Sequence, residues 1–557
     1  MGEIPKDYIV DKDLWPDLVT PPGYEDLPDE LNLAEELLDK NIKEGRGDNV
    51  AILFQDKKIT YRQVYEDVNR LANGLVELGL EKYDRVGIRT ANIPQAVVAN
   101  FAIMKIGAIP VPMSPLWSKF EIAYALNNAE AKAIIVFAGL LEEVEKAKPE
   151  LESIEHIIVI GGDPEEIKKK GYVSYEELLK KGKPEFEPVK IKKTDPAVIL
   201  YTSGTTGPPK GCVHFAQGVL IEADLVAKHV WKLKPGEVLG GSAPVSFAAG
   251  YGTFAIIPWI AGATISLLPK FTPEAMLKTI EDHKINVLTG LPTAYRVLLK
   301  EDFSKYDLSS IRMYTTGGES LGAETFKAWE EKTGMPIYEG LGMTEAVHLV
   351  TSNVTAPEPK PGSIGKPLPG FEIKIFDPDT GEECKPGEIG TMGVKGPTGT
   401  VYWKPHADNN RLLKKQKEGV KEGYNIAGDM VYQDEEGYIY FVSRDDDMIK
   451  SSGYRIGPEE IEEALKKHPA VKDAGVIGVP DPVRGQNTKA VLVLNEGYEP
   501  SKELEEELKT FLRDYVAVYK LPRLFGYVDE LPRTPTGKLI RRFIRDWEKE
   551  GKIRSAA

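Results

Sequence analysis

From about residue 49 onward, short apolar runs alternate with segments whose apolar residues recur at helical spacing. VAILFQDKKITY predicts a hairpin turning near Asp56-Lys57, and YRQVYEDVNRLANGLVELGL predicts an amphipathic helix. RVGIRT is a short β-rich run, and PQAVVANFAIMKIGAIPVPM reads as a helix followed by a strand. The rhythm continues through KAIIVF, HIIVIGG, AVILYTSG, GATISLLP, INVLTGLP and IRMYTTGG. Strands separated by helices predict a parallel sheet with helices on both faces.

The pattern changes near residue 365. KPLPGFEIKIFDPDTGEECKPGEIGTMGVKG is β-rich with frequent Gly and Pro turns, and predicts a compact β subdomain. A polar stretch then leads into helix and strand patterns, and the tail ends in the basic amphipathic segment LIRRFIRDWEKEGKIR. Residues 1–48 are polar, rich in Asp, Glu and Pro, and are expected to lie on the surface. The predicted class is α/β. A large N-terminal domain, 1–445, holds mostly parallel sheets flanked by helices plus the β-rich subdomain. A small mobile α+β domain, 446–557, follows.

Composition narrows the function. A chain of 557 residues, 41% hydrophobic, is too long for one ordinary core. The net charge of −15 argues against a nucleic-acid or anionic-membrane binder. Two distant cysteines, Cys212 and Cys384, make neither a disulfide framework nor a metal-ligand set. The N-terminus lacks the apolar core of a signal peptide and no run of about 18 apolar residues occurs, so a cytoplasmic location without a membrane span is expected.

The densest chemistry lies in YTSGTTGPPKG, residues 201–211. Glycines let backbone N–H groups turn toward an anion, Thr202, Ser203, Thr205 and Thr206 add hydroxyl donors around Gly204, and Lys210 adds charge. The spacing is not that of a Walker A loop. The string resembles the signature of the adenylate-forming superfamily, which includes acyl- and aryl-CoA ligases. In that family the loop holds the β- and γ-phosphates of ATP.

Five further motifs follow in the family's order. TTGGESL resembles its adenine-contacting turn, implying Gly317, Gly318 and Glu319 around the nucleotide. GLGMTE, with Gly340, Leu341, Gly342 and Met343, presents Thr344 and Glu345, and the resemblance implies that Thr344 contacts the α-phosphate and Glu345 the Mg²⁺. Leu341 stands where many members carry an aromatic residue near adenine. YNIAGD resembles the ribose motif, with Asp429 accepting from both ribose hydroxyls. SRDDDMIKSSGYRI resembles the hinge motif. It implies Arg444 on the ribose, Asp446 as pivot, Lys450 and Arg455 lining the site, and Ser452-Gly453 where pantetheine enters. PRTPTGKLIR resembles the last signature, in which Lys538 bridges the substrate carboxylate and the α-phosphate.

The implied reaction has two halves. A carboxylate attacks the α-phosphate of MgATP and releases pyrophosphate; the CoA thiol then attacks the acyl-adenylate and releases AMP. Rotation of the C-terminal domain between the halves would remove Lys538 once its step is complete. Acid-pocket candidates are Val245, Phe247, Tyr251, Gly252, Leu291, Thr293 and His348, with Leu341 as a closing wall. The motifs look closest to the benzoate- and 2-aminobenzoate-CoA ligase branch, implying a small acid, either aryl or short-to-medium aliphatic or hydroxy. The expected partners are that acid, ATP, Mg²⁺ and coenzyme A, with a homodimer left open. Arg484 supplies a charge for the CoA phosphates and favours CoA over a rival reading, an enzyme loading a carrier protein. Retention of Lys538 and Glu345 argues against a second rival, a non-catalytic nucleotide-binding regulator.

Overall fold

The computed structural model describes residues 4–202, 209–451, 454–482, 484–534 and 537–556. Ser203, Gly204, Thr205, Thr206, Ser452 and Gly453, all named above, lie outside the described residues. The chain divides into two compact units. One comprises Met1–Ile373 and Val394–Ala427; the other comprises Lys374–Gly393 and Gly428–Ala557. The expected boundary at 445/446 falls inside the second unit.

The first unit contains a seven-stranded sheet. Its spatial order is Ile337–Glu339, Met313–Thr316, Val287–Gly290, Val238–Gly241, Thr264–Leu267, Val50–Phe54 and Lys57–Thr60. Every neighbouring pair is parallel except the last, the Val50–Phe54/Lys57–Thr60 hairpin. A second, five-stranded sheet is parallel throughout, in the order Ile109–Pro112, Arg85–Arg89, Ala131–Phe137, His156–Ile160 and Val173–Ser174. Central strands buried on both faces need continuous apolar runs, and AIIV and HIIVI supply them.

AVILY differs from the expectation. Pro196–Tyr201 joins neither parallel sheet and forms a two-stranded antiparallel ribbon with Gly211–Phe215. A parallel partner would need a crossover of a dozen or more residues, and the antiparallel pairing of these two sequence-adjacent strands needs none.

Helix Tyr61–Glu77 begins with a capping box, Thr60 accepting from Gln63 N and the Gln63 side chain reaching back to Thr60 N. Helix Pro94–Lys105 starts with proline and is buried on nearly every residue.

In the second unit, Val471–Asp481 and Gly485–Leu494 form a long antiparallel hairpin. Ile449–Ser451 pairs with Gly485 and with Tyr454–Ile456, and Leu524–Tyr527 runs parallel to Gly485–Leu494. Ile449, Ile456, Ile461, Leu465, Val476, Leu492 and Leu508 form its core beneath helices Pro458–Leu465 and Lys502–Leu512.

Candidate functional site

In an open parallel sheet, ligands bind in the crevice at the carboxyl ends of the strands, where loops diverge and backbone groups are unpaired. Four adjacent strands of the seven-stranded sheet lead directly into predicted site residues. Val238–Gly241 precedes Val245, Phe247, Tyr251 and Gly252. Val287–Gly290 precedes Leu291 and Thr293, Met313–Thr316 precedes Gly317, Gly318 and Glu319, and Ile337–Glu339 precedes Gly340 to His348. Sheet order therefore gathers residues spread over a hundred positions of sequence.

The glycines here answer to close backbone approach. A Cβ on Gly317 would stand 2.8 Å from the Gly340 carbonyl oxygen, and one on Gly342 would stand 2.2 Å from the His348 carbonyl oxygen. Gly318 has φ +87°. Glu319 accepts from Thr293 Oγ1 at 2.8 Å and sits 3.7 Å from Arg296 Nη1. Its Oε1 is buried with no hydrogen-bond partner among the described residues, an acceptor left unsatisfied. Leu341 is buried. Its N–H donates to Thr351 Oγ1 at 3.0 Å and its carbonyl accepts from Val350 N, which fixes the strand-end turn.

Lys210, Glu345 and Tyr402 come together. Lys210 Nζ lies 3.7 Å from Glu345 Oε1. The Tyr402 hydroxyl accepts from Lys210 Nζ at 3.1 Å and donates to Glu345 Oε1 at 3.4 Å. The backbone of Lys210 is fixed by a reciprocal pair with Thr202: Thr202 N donates to Lys210 O at 3.0 Å, and Lys210 N to Thr202 Oγ1 at 3.1 Å. Tyr402 was not apparent from the sequence, because GTVYWKP carries no local signature and reaches the site only through the fold. The contacts on Glu345 are long, and its carboxylate keeps capacity for a further partner. Mg²⁺ is commonly held by one carboxylate together with substrate phosphates, so the donor set present fits it.

Thr344–Ala346 forms a short 3-10 turn that ends at Val347, whose φ is +68° and ψ −54°. His348 N donates to Ala346 O at 2.8 Å, making Val347 the centre of a γ-turn of the strained hand. His348 is buried edge-on to Trp231, with ring centroids 5.3 Å apart, and a Cβ on Gly252 would lie 2.3 Å from its ring. Burial holds its pKa down at about 4, against a backbone hydrogen bond at Ala249 that raises it. Tyr251, expected as an acid-pocket wall, is buried with its hydroxyl donating to Asn100 Oδ1 at 2.8 Å. Phe247 is half-buried and Val245 buried.

Two ionisable residues behind this segment had no sequence signal. His214 is buried with its pKa lowered to about 3, chiefly by desolvation. Glu222 is fully buried, both its carboxylate oxygens lack partners among the described residues, and desolvation drives its pKa well up, against the Leu349 backbone amide.

The second unit carries the remaining candidates. Asp429 and Arg444 face each other in the antiparallel pair Tyr424–Gln433 and Ile439–Arg444, and Arg444 Nη1 donates to Asp429 Oδ1 at 2.7 Å. Asp445 and Asp446 are exposed, whereas Asp447 is held by Arg541 at 3.1 Å and Arg545 at 3.0 Å. Lys450 and Arg455 are register partners in the Ile449–Ser451/Tyr454–Ile456 hairpin. Gly485 pairs with Ser451, which places Arg484 beside the end of that strand. Lys538 is set by a tight turn: its N–H donates to Thr534 Oγ1 at 3.0 Å, its carbonyl accepts from Thr534 N at 2.7 Å, and Gly537 has φ +93°.

Residues 38–403 match the model of the AMP-binding enzyme family, and residues 460–538 match the AMP-binding enzyme C-terminal domain. The acetyl-coenzyme A synthetase of Bacillus subtilis (strain 168) is 35% identical over 93% of this chain and 91% of its own length. The benzoate–CoA ligase of Thauera aromatica is 32% identical over 94% of this chain and 98% of its own. A solved anthranilate CoA ligase in complex with anthranoyl-AMP superposes with a TM-score of 0.86, at 33% identity over 95% of this chain and 99% of that one.

Proposed function

Since the chain belongs to the AMP-binding enzyme family and is an AMP-forming acid–thiol ligase working with ATP, Mg²⁺ and CoA, we propose that its acid is a small carboxylic acid, aryl or short-to-medium aliphatic or hydroxy. The observation that carries this reading is the crowding around His348. Gly252 packs onto the His348 ring, Trp231 meets its edge, and Tyr251 is tied back to Asn100. Walls this close leave little length for an acyl chain. The chain's relatives include ligases named for acetate, benzoate and anthranilate and one named for long-chain fatty acids, so the size class rests on these walls.

No nucleophilic side chain is needed, because the carboxylate and the thiol are the nucleophiles. Catalysis rests on positioning and on charge neutralisation where charge develops. Lys210 and the loop before it would hold the outer phosphates, and Thr344 would donate to the α-phosphate. Glu345 would hold Mg²⁺, which neutralises phosphate charge and polarises its oxygens. The free oxygen of Glu319 suits an exocyclic amino donor of the base. Asp429, steadied by Arg444, would accept from the ribose hydroxyls. Lys538, fixed by the Thr534 turn, would bridge the acid and the α-phosphate. Lys450, Arg455 and Arg484, with Ser452-Gly453, would then accompany CoA, Asp446 being the pivot. A cytoplasmic location and a homodimer belong to the same proposal; no described helix is long and apolar enough to cross a membrane.

The test is AMP formation with and without CoA over benzoate, aminobenzoates and C2–C8 acids. CoA-dependent turnover with a small acid is expected. Turnover confined to the longest acids would overturn the size class, and acid-dependent AMP release indifferent to CoA would point to a carrier protein as acceptor.

A further inference from the structure

Between the two parallel-sheet regions of the first unit lies a small cavity to which Thr90, Asn100, Val245, Ser246 and Tyr251 contribute among apolar side chains. It shares Val245 and Tyr251 with the expected acid pocket. The loop that carries it is clamped: Asn92 Nδ2 donates to Ala243 O at 3.0 Å, and Val245 N donates to Asn92 Oδ1 at 2.8 Å. This clamp seats Ser246 facing the end of strand Arg85–Arg89, where Thr90 follows.

Most of the lining is apolar, yet it holds polar groups that the protein leaves unused. Thr90 is 2% exposed and Ser246 is 8% exposed, and neither hydroxyl has a hydrogen-bond partner among the described residues. Asn100 is 2% exposed; its Oδ1 is taken by Tyr251, but among the described residues its Nδ2 meets only Met104 Sδ at 3.7 Å. Burying a hydroxyl without a partner is costly, so two on one cavity are groups that a bound oxygen would satisfy. The donors and acceptors define that group. Two hydroxyls donate or accept, and the amide donates. No lining residue is a carboxylate, so an ammonium group would lack a counter-charge. The set suits a neutral oxygen.

We propose that this cavity is the far end of the acid site and receives a hydroxyl or keto oxygen carried by the acyl group away from its carboxylate. Resting on the small-acid reading above, it narrows the substrate to oxygen-substituted small acids. A site built to pair with such an oxygen disfavours the analogue that lacks it, because the buried hydroxyls are then left unpaired.

The experiment measures kcat/KM for acid-dependent ATP–pyrophosphate exchange with matched pairs, 3-hydroxybutanoate against butanoate and 3-hydroxybenzoate against benzoate. It is run on wild type, Thr90→Val, Thr90→Ser and Ser246→Ala, each first checked for an unchanged unfolding midpoint. Wild type should favour the oxygenated member of at least one pair by ~10-fold or more. Thr90→Val and Ser246→Ala should each cut that ratio several-fold, and Thr90→Ser should retain it. Equal use of both members, or a ratio untouched by both variants, overturns the inference and leaves a water-filled cavity, while the small-acid reading stands. Exchange with none of these acids overturns that reading and the inference with it.

Discussion

The Lys210 ammonium and the Glu345 carboxylate lie 3.7 Å apart, and the Tyr402 hydroxyl bonds to both. In the proposed roles, with Lys210 on phosphate and Glu345 on Mg²⁺, the two would neutralise each other if they were in tight contact. The hydroxyl gives each a partner at longer range and leaves both with capacity for ligand. Tyr402→Phe removes that bridge and keeps the ring. The expected result is a rise in the KM for MgATP of about 5-fold, corresponding to one modest hydrogen bond, with the unfolding midpoint nearly unchanged. Steady-state kinetics with varied MgATP reads this; an unchanged KM would show the hydroxyl to be a bystander.

Lys538 is held by its backbone in the Thr534 turn, and its ammonium makes no ion pair among the described residues. Lys538→Ala should lower pyrophosphate exchange by roughly 10²–10³-fold, the scale of removing one transition-state donor. Thioester formation from preformed acyl-AMP and CoA should persist. Equal loss in both half-reactions would mean that Lys538 supports the fold or both sites.

Val347 has φ +68° at the centre of a γ-turn between Ala346 and His348. A β-branched residue there stores about 1–3 kcal/mol of strain, more than the roughly 0.5–1 kcal/mol that glycine costs in chain entropy. Val347→Gly should therefore destabilise less than Val347→Ala, the reverse of the usual order. Urea unfolding of the two variants decides it. A less stable glycine variant would argue against strain at this residue.

Glu222 is fully buried, its carboxylate oxygens make no hydrogen bond of ordinary geometry among the described residues, and desolvation raises its pKa well above the ordinary 4.5 against the pull of the Leu349 backbone amide. The folded state then binds a proton that the unfolded state releases, so stability falls as pH rises above 4.5 toward the folded value. The loss attributable to this carboxyl grows with pH until the folded-state pKa is passed. Glu222→Gln should gain on wild type progressively from pH 5 to 8. His214 and His348 work in the opposite sense. Their pKa values, lowered to about 3 and about 4, give stability that is present above 6.5 and lost as pH falls. The acid limb should thus survive in the variant. A difference between variant and wild type that is flat across pH would mean Glu222 stays ionised in the fold.

The alternation of apolar runs and helical periods made the parallel sheets legible, since each strand's burial is written in its own residues. The phosphate-loop, Gly-rich and Lys538 motifs could be proposed from sequence because the chemistry they suggest is local. Tyr402 was not, because its role depends on two partners 192 and 57 residues away. The Asp429–Arg444 pairing rests on strand register, which neither motif contains. Glu222 sits within a helix whose neighbours are nearly all apolar, and only packing reveals that it has no outlet to solvent. Thr90 and Ser246 are ordinary residues until the fold brings them to one cavity.

The most direct measurement uses an acid that the enzyme turns over, labelled with ¹⁸O in both carboxylate oxygens. Attack of that carboxylate on the α-phosphate transfers one oxygen to AMP and leaves the other in the thioester carbonyl. Mass spectrometry should find one ¹⁸O in AMP and one in the acyl-CoA. Unlabelled AMP from labelled acid would contradict the acyl-adenylate route.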